Sequence, residues 1–326
     1  MSNNTENEQE KLQQQLWESL NSLLCLTQKV EFYVYEGLGL FTSKTEKFQN
    51  PAYKASNPED FIYKESSQSF EENLHSKDLN LYLKPIINHL TNQNLSFTIL
   101  DIGGYIGIFS LKASLCCRSL GIDTKIFCFE PGPTTHLIEA NININGFKNT
   151  ICLVEKAASY VTGNVLYHYQ PNSTITGRLF KHSKASYSKI IQAQTIDNFI
   201  EENNDLSEVL IIKIDTEEYE HNVLKGMTTT IETKLCILVL EFWPWTLDYK
   251  IDQQKYGDYL LEKFILIDIN NSVVPQKFNI ITANNFVTFT EEIKSSPRGC
   301  TDVLCLPKNL ANVNDLANKI SIISKK

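Results

Sequence analysis

The chain has 326 residues, of which 38 are acidic and 30 are basic, so its formal net charge is −8. This length suits one large domain or two smaller ones, and the acidic balance argues against a nucleic-acid binder that depends on positive charge. No apolar run reaches the roughly 20 residues needed to span a bilayer, and the acidic start is unlike a secretory signal. We therefore expect a cytoplasmic protein with no membrane insertion and no nucleic-acid partner.

Residues 1–76 form an N-terminal extension whose pattern differs from the rest of the chain. The first ten residues are polar and acidic, which predicts disorder. Leucines recur at helical spacing from Lys11 to Lys29 and predict an amphipathic helix. Residues 31–76 are rich in aromatic side chains without a clear period, so we predict ordered but irregular structure there.

Short apolar runs alternate with helical patterns over the next 230 residues or so. The predicted strands are Phe97–Ile102, Lys125–Phe129, Thr150–Val154, Val209–Ile214, Leu235–Phe242, Phe264–Ile269, Phe286–Phe289 and Val303–Leu306. The predicted helices are Lys77–Leu90, Ile106–Ser119, Thr134–Asn143, Glu217–Ile231 and Gln253–Lys263. Such alternation predicts a Rossmann-like α/β fold with a doubly wound, mostly parallel sheet.

An insertion between Ala158 and Ile196 interrupts this alternation. It contains two further β-rich runs, Asn164–Tyr169 and Lys189–Gln194, which predict an added hairpin or sheet edge. The residues from Asn172 to Arg178 bring hydroxyl groups and one cation to the same region.

A glycine-rich turn follows the first predicted strand of the sheet. The residues from Asp101 to Gly107 read D-x-G-G-x-x-G, with glycines at 103, 104 and 107. Ligands of open α/β sheets bind at the carboxyl ends of strands, so this turn is a candidate nucleotide site. Asp101 would repel a pyrophosphate and suits a cationic ligand such as S-adenosylmethionine. A plain glycine turn that only caps the strand is the alternative.

The second predicted strand ends in another acid, Glu130, 29 residues after Asp101. An acid at this place can accept hydrogen bonds from both ribose hydroxyls of an adenosine. The alternative is a solvated strand end. Together, the two acids and the glycine turn indicate a site for an adenosine-containing cation.

Four spaced motifs resemble those of the FkbM-type methyltransferases. Residues 101–107 resemble their D-x-G-A-N-x-G turn, 129–133 their F-E-P-x-P, 141–146 their N-x-x-x-N-G, and 213–226 their K-I-D-V-E-G-x-E-x-x-V-L-K-G. Val239–Glu241 is similar to the acid-terminated strand that follows. Three residues depart from the pattern: Gly104 and Tyr105 stand in place of Ala-Asn, and Glu218 in place of Gly.

The resemblance implies a class I methyltransferase fold with S-adenosylmethionine as the methyl donor. It implies transfer to a hydroxyl of a sugar, glycan or small metabolite. From the residue pattern itself, we expect the domain to cover residues 77–310, followed by a tail at 311–326, with the extension 1–76 as a cap on the acceptor site. The implied cofactor-binding residues are Asp101, Gly103, Gly104, Tyr105, Gly107, Glu130, Pro131 and Ala157.

An alcohol needs a base to remove its proton as it attacks the methyl group. Asp215 ends the fourth predicted strand and is our first candidate, and Lys213, on the same strand face, would hold it ionised. His221 and Glu217 are the other candidates. If a helix begins near Glu217, these two residues are four apart and share a face.

Three other interpretations remain open. Asp215, Glu217, Glu220 and His221 offer metal ligands, but contiguous acids more often form a solvated face, so we expect no metal. Tyr105 and Glu218 motivate a methyltransferase-fold binding protein with impaired catalysis. A nicotinamide-dependent oxidoreductase is disfavoured by Asp101 and by the glycine spacing.

Overall fold

The computed structural model describes residues 30–35, 38–43, 76–170, 173–179, 187–244, 253–269, 279–296 and 299–323. The predicted disordered start and the predicted helix from Lys11 to Lys29 lie outside these residues, as do residues 44–75. The predicted irregular segment begins differently in the structure, because residues 30–43 contain two antiparallel strands.

The strands are β1 (Val30–Tyr35), β2 (Leu38–Ser43), β3 (Phe97–Ile102), β4 (Ile126–Phe129), β5 (Ile151–Val154), β6 (Ala157–Ala158), β7 (Gly163–Gln170), β8 (Ser173–Arg178), β9 (Tyr187–Gln194), β10 (Val209–Ile214), β11 (Leu235–Phe242), β12 (Phe264–Asp268), β13 (Asn279–Ile281) and β14 (Thr301–Pro307). The helices are α1 (Ser76–Asn92), α2 (Ile108–Ser119), α3 (Thr135–Ile144), α4 (Ile196–Glu202), α5 (Glu220–Lys225), α6 (Thr228–Thr233), α7 (Gln253–Lys263), α8 (Phe286–Ser295) and α9 (Val313–Ile323).

Eight strands form the central sheet in the order β13-β12-β14-β11-β10-β3-β4-β5. The five strands from β11 to β5 are parallel, and β14 lies antiparallel between β11 and β12. The predicted doubly wound, mostly parallel sheet of a class I methyltransferase fold is therefore confirmed. Successive strands run outward from β3 in one direction and from β10 in the other, so the switch point lies between these two strands.

Alternate side chains of the central strands enter two hydrophobic cores, one on each face of the sheet. On β3, Ile99 faces the first core and Leu100 the second, and on β10 the same holds for Ile211 and Leu210. All four side chains are fully buried. This burial on both faces explains why the strands are almost continuous apolar runs.

The hairpin of β1 and β2 and the last helix both pack on the first core. Leu38 of β2 is 2% exposed and belongs to this core, and β2 lies beside α3. Helix α9 packs against α1 and buries Leu316, Ala317 and Ile320. No helix among the described residues is long and apolar enough to cross a bilayer.

The insertion forms a separate four-stranded sheet with the order β6-β9-β7-β8. Strands β7 and β9 are antiparallel and include the two runs predicted in the insertion. The strand β8, which carries Arg178, pairs with β7 at the edge of this sheet. The insertion thus adds a folded layer to the central domain.

Two predicted elements are wrong. The apolar run Phe286–Phe289 is not a strand but the start of α8, whose buried residues Phe286, Phe289, Thr290 and Ile293 have helical spacing. The helix predicted over Glu217–Ile231 begins only at Glu220 and is interrupted between α5 and α6. At this break, a Cβ atom on Gly226 would collide with the carbonyl oxygen of Ser159.

Candidate functional site

A pocket lies at the switch point, where the carboxyl ends of β3 and β10 meet. Five of the predicted cofactor-binding residues line it: Gly103, Tyr105, Glu130, Pro131 and Ala157. Two of the predicted catalytic residues, Asp215 and Glu217, also line it. Residues distant in the sequence therefore meet in one cavity. Asp101, Gly104, Gly107 and His221 are not among the lining residues.

The glycine turn after β3 is packed tightly against the end of β10. Gly103 has a φ of +85°, and a Cβ atom there would collide with the carbonyl oxygen of Asp215. The Asp215 amide in turn donates to the Ile102 carbonyl over 2.9 Å. Only glycine meets both requirements, the left-handed backbone and the close approach.

The other two glycines shape the turn from outside the pocket. A Cβ atom on Gly104 would collide with the sulfur of Cys128 on the neighbouring strand. Gly107, with a φ of +85°, immediately precedes α2. Their predicted contact with a cofactor remains a prediction, since the structure gives both a role in packing.

Asp101 lies beneath the turn and is fully buried. Its Oδ2 atom accepts hydrogen bonds from the amide and the hydroxyl of Ser110, over 3.2 and 2.7 Å. Burial raises the pKa of Asp101, while Lys213 opposes that shift. This carboxyl group therefore ties the start of α2 to β3, and its predicted contact with a cationic ligand is untested.

Glu130 is the buried acid at the end of β4. Its carboxylate accepts from the Tyr105 amide over 2.8 Å and from the Gly132 amide over 2.6 Å. Burial raises the pKa of Glu130 to about 7. A carboxylate has about four acceptor positions, so two remain after these bonds. The acid is thus oriented by the backbone and retains capacity for a diol.

Asp215 follows β10 and is paired with Lys213. The Lys213 Nζ atom lies 2.8 Å from Asp215 Oδ2, and the lysine side chain is 11% exposed. Asp101 and Asp302 also act on this ammonium, and together with Asp215 they raise the pKa of Lys213 against the effect of burial. The predicted alignment of Lys213 with Asp215 on one strand face agrees with this contact.

The next residues form an unusual turn. Glu217 and Glu218 have φ values of +55° and +72°, in the left-handed region that non-glycine residues rarely adopt. Arg178 of β8 forms ion pairs with both carboxylates. The Thr216 amide and hydroxyl donate to Glu220 at the start of α5. The acids of this segment are therefore oriented by specific contacts.

His221 lies within α5 and is buried away from the pocket lining. The prediction that Glu217 and His221 share a helical face is wrong, because the helix begins at Glu220 and Glu217 has a left-handed backbone. The ring of His221 lies 6.2 Å from that of Tyr219, which does line the pocket. A role for His221 as the base stays a prediction, since this residue does not line the pocket.

The insertion contributes one wall of the pocket, which the sequence analysis did not assign to particular residues. Tyr167 of β7 and the residues on either side of Arg178, Gly177 and Leu179, line the cavity. A Cβ atom on Gly177 would collide with the Tyr167 ring. The signals for this wall were the predicted strand Asn164–Tyr169 and the cluster from Asn172 to Arg178, and nothing local in the sequence shows which strand face is turned inward.

Metal ligation was the alternative use of the acids after β10. In the part of the chain that the structure describes, no three histidine, cysteine, aspartate or glutamate side chains are placed to hold a metal ion. The carboxylates of the segment instead pair with Arg178, Lys213 and the Thr216 amide.

Comparison with known proteins supports one family. Residues 101–257 match the methyltransferase FkbM domain. A methyltransferase FkbM from Methylobacillus flagellatus KT is 17% identical, with a TM-score of 0.39, and the alignment covers 65% of this chain and 44% of that one. This chain therefore spans less than half the length of that relative. A search of curated proteins gives no match.

Two more solved structures illustrate the range of similar proteins. A putative class I S-adenosylmethionine-dependent methyltransferase from Listeria monocytogenes is 8% identical, with a TM-score of 0.37, covering 72% of this chain and 61% of that one. A likely methyl transferase from Burkholderia thailandensis bound to S-adenosyl-homocysteine is 9% identical, with a TM-score of 0.27, and the alignment covers 78% of this chain and 62% of that one.

Proposed function

Because residues 101–257 match the methyltransferase FkbM domain, we propose that this chain transfers the methyl group of S-adenosylmethionine to a hydroxyl oxygen of a sugar, glycan or small metabolite. The observation that carries this proposal is the convergence of Gly103, Glu130 and Asp215 on one pocket at the switch point. Glu130 supplies an oriented acid for a ribose, and Asp215 supplies an acid that can take the proton of an acceptor hydroxyl.

The pocket chemistry fits the cationic methyl donor. Glu130, Asp215 and Glu217 line it with carboxyl groups, which suit a sulfonium and an ammonium group. The residual acceptor capacity of Glu130 suits the ribose hydroxyls. By contrast, these acids would repel a pyrophosphate. The turn also lacks the G-x-G-x-x-G spacing with which glycine-rich turns bind one. This argues for S-adenosylmethionine over a nicotinamide dinucleotide.

Bound S-adenosylmethionine supplies an electrophilic methyl group on a sulfonium. The chain's own residues must then hold the acceptor in line and take its proton. Asp215, fixed by Lys213, is the first candidate for orienting the hydroxyl and accepting that proton. Glu217 is the second, since burial raises its pKa to about 8 and so makes it a stronger base once ionised. His221 is third, because it does not line the pocket.

Two measurements test the proposal. Isothermal titration should show binding of S-adenosylhomocysteine and no comparable binding of NAD. Incubation with methyl-labelled S-adenosylmethionine and a panel of sugars, glycans and small alcohols, with primary amines as the matched control, should label hydroxyl compounds. Binding without any turnover would support the impaired binding protein instead, and labelling confined to amines would overturn O-methylation.

A further inference from the structure

Arg178 joins the insertion to the turn after β10. Its Nη2 atom lies 3.4 Å from Glu217 Oε2, and its Nη1 atom is paired with Glu218 Oε1. The arginine side chain is 17% exposed and each glutamate side chain 23%. These ion pairs are therefore mostly shielded from water, unlike a surface pair.

The turn that Arg178 contacts has a strained backbone. Two consecutive glutamates occupy the left-handed region, with φ values of +55° and +72°. Such conformations persist in non-glycine residues only when surrounding contacts enforce them. One contact comes from Glu220, which accepts from the Thr216 amide, and the other comes from Arg178 across the cavity wall. Without the arginine, the two carboxylates would repel each other and the turn would lose the cation that pairs with both of them.

Both sides of this contact face the pocket. Gly177 and Leu179 flank the arginine and line the cavity, while Thr216 and Glu217 line it from the opposite side. The guanidinium group therefore bridges the two walls of the cavity. Its planar fork suits the task, because one group can bond two carboxylates at fixed angles.

We propose that Arg178 is a positioning residue for methyl transfer, which holds the insertion against the pocket and fixes the carboxyl group of Glu217 within it. This inference rests on the proposed function, since it assigns Glu217 a place beside the reacting groups. Arg178 also pairs with Glu218, which stands where the pattern that residues 213–226 resemble has a glycine.

The charges around Glu217 predict the direction in which its pKa changes when Arg178 is removed. The pKa of Glu217 is raised to about 8, first by burial and then by the neighbouring carboxylates of Asp215, Glu220 and Glu218. Arg178 alone among these charged groups lowers it. Removing the guanidinium should therefore raise the pKa of Glu217. Loosening the insertion without that charge effect would expose the carboxyl group and move its pKa down, towards the ordinary value of about 4.3.

The experiment uses the full chain with ¹³C-carboxyl-labelled glutamate, observed by NMR across a pH titration. The Glu217 resonance is assigned by its loss in Glu217→Gln. We expect Arg178→Gln to raise the Glu217 midpoint by about one pH unit or more, the effect of losing a neighbouring opposite charge. Arg178→Lys should keep the midpoint within about half a unit, because the charge remains. Arg118→Gln, outside the pocket lining, is the matched control and should change nothing.

A second variant guards against loss of folding in Arg178→Gln. Glu218→Gln removes a like charge and should lower the Glu217 midpoint, so the two variants shift it in opposite directions. Amide hydrogen exchange of residues 215–219 and 173–179 should also accelerate together in Arg178→Gln and in Arg178→Lys, which cannot bridge both carboxylates. A midpoint that is unchanged in Arg178→Gln overturns the proposal, as does unchanged exchange in both segments.

These readouts need neither an acceptor nor a cofactor. If the wild-type protein fails to bind S-adenosylhomocysteine, the proposed function fails. The titration then still shows whether Arg178 pairs with Glu217. If binding and methyl transfer are present but Glu217 titrates identically in wild type and Arg178→Gln, the positioning role fails and the proposed function stands.

Discussion

At the scale of single residues, Glu130 combines a structural role in the turn with a proposed role in cofactor binding. Its carboxylate accepts from the amides of Tyr105 and Gly132, so it shapes the turn even without a ligand. Its remaining acceptor positions are what the proposed ribose contact uses. Substitution should therefore affect cofactor affinity more than folding, provided that the amides keep an acceptor.

We predict that Glu130→Ala weakens S-adenosylhomocysteine binding by about 1.5–3 kcal/mol, the loss of charge-assisted hydrogen bonds. This corresponds to roughly a 10- to 150-fold rise in Kd, measured by isothermal titration. Glu130→Gln keeps an acceptor for the two amides and isolates the charge. Glu139→Ala, an exposed acid on α3, is the matched control. An unchanged Kd in Glu130→Ala would remove this residue from the site.

The second prediction at this scale concerns Asp215. If it is the base, Asp215→Asn should lower turnover by about 10²-fold or more with little change in affinity for S-adenosylhomocysteine. The near-isosteric amide keeps an oxygen for Lys213, so the fold should survive. Asp123→Asn on the surface serves as the control. Turnover at the wild-type level would transfer the role to Glu217, the other lining acid of the segment.

At the scale of elements, the packing of the first turn against the end of β10 can be tested with glycines. Gly103 and Gly121 both have positive φ values, +85° and +68°. A Cβ atom on Gly121 meets nothing within 4 Å, whereas one on Gly103 would collide with Asp215. Gly121→Ala should thus cost about 1–2 kcal/mol of unfolding free energy, the strain of the left-handed backbone.

We predict that Gly103→Ala costs about 1–3 kcal/mol more than Gly121→Ala, because the added methyl group must displace the end of β10. Urea denaturation of both variants measures the difference. Gly103→Ala should also weaken S-adenosylhomocysteine binding, since the displaced residues line the pocket. Equal losses of stability would mean that the two elements are not tightly packed in solution.

The predictable elements are those with two-sided burial. The bounds of β3, β10 and β11 follow from the apolar runs alone, because both faces of these strands contact a core. Phe286–Phe289 is equally apolar but is buried on one helical face, and a four-residue run does not distinguish the two cases. The helix start at Glu220 was missed because Glu217 and Glu218 adopt a backbone that their residue types disfavour.

The candidate site likewise contains residues that the sequence predicts and residues that it does not. Gly103, Glu130 and Asp215 were predictable because residues at neighbouring parallel strand ends meet by topology. Tyr167 and Leu179 were not, since their position depends on how the insertion folds back, which no local pattern specifies. The burial of Asp101 behind the turn likewise depends on Ser110 of α2, a contact between two elements.

At the scale of the whole molecule, buried acids should make stability depend on pH. Burial raises the pKa values of Glu130 and Glu220 to about 7 and that of Glu217 to about 8, above the value of about 4.3 in an unfolded chain. Between these limits the folded state holds protons that the unfolded state has released. The unfolding free energy therefore decreases as pH rises.

We predict that the ligand-free protein is less stable at pH 8 than at pH 5.5 by more than about 1.4 kcal/mol, the value of one pKa unit. Urea denaturation at both pH values measures this. Glu220→Gln, which still accepts from Thr216, should reduce the difference because one titrating group is gone. A protein that is more stable at pH 8 would show that these carboxyl groups are ionised in the folded state.

The position of β14 has a consequence for biosynthesis. This strand joins β11 to β12, which have no direct hydrogen bonds with each other in the sheet. During translation, residues 253–281 emerge before residues 301–307, which form the strand that connects β12 and β13 to the rest of the sheet. The five parallel strands, which carry the pocket, can assemble on the ribosome first, since domains fold as their residues emerge. The outer strands must wait, and a stalled nascent chain would expose the unpaired backbone edge of β11 to chaperones.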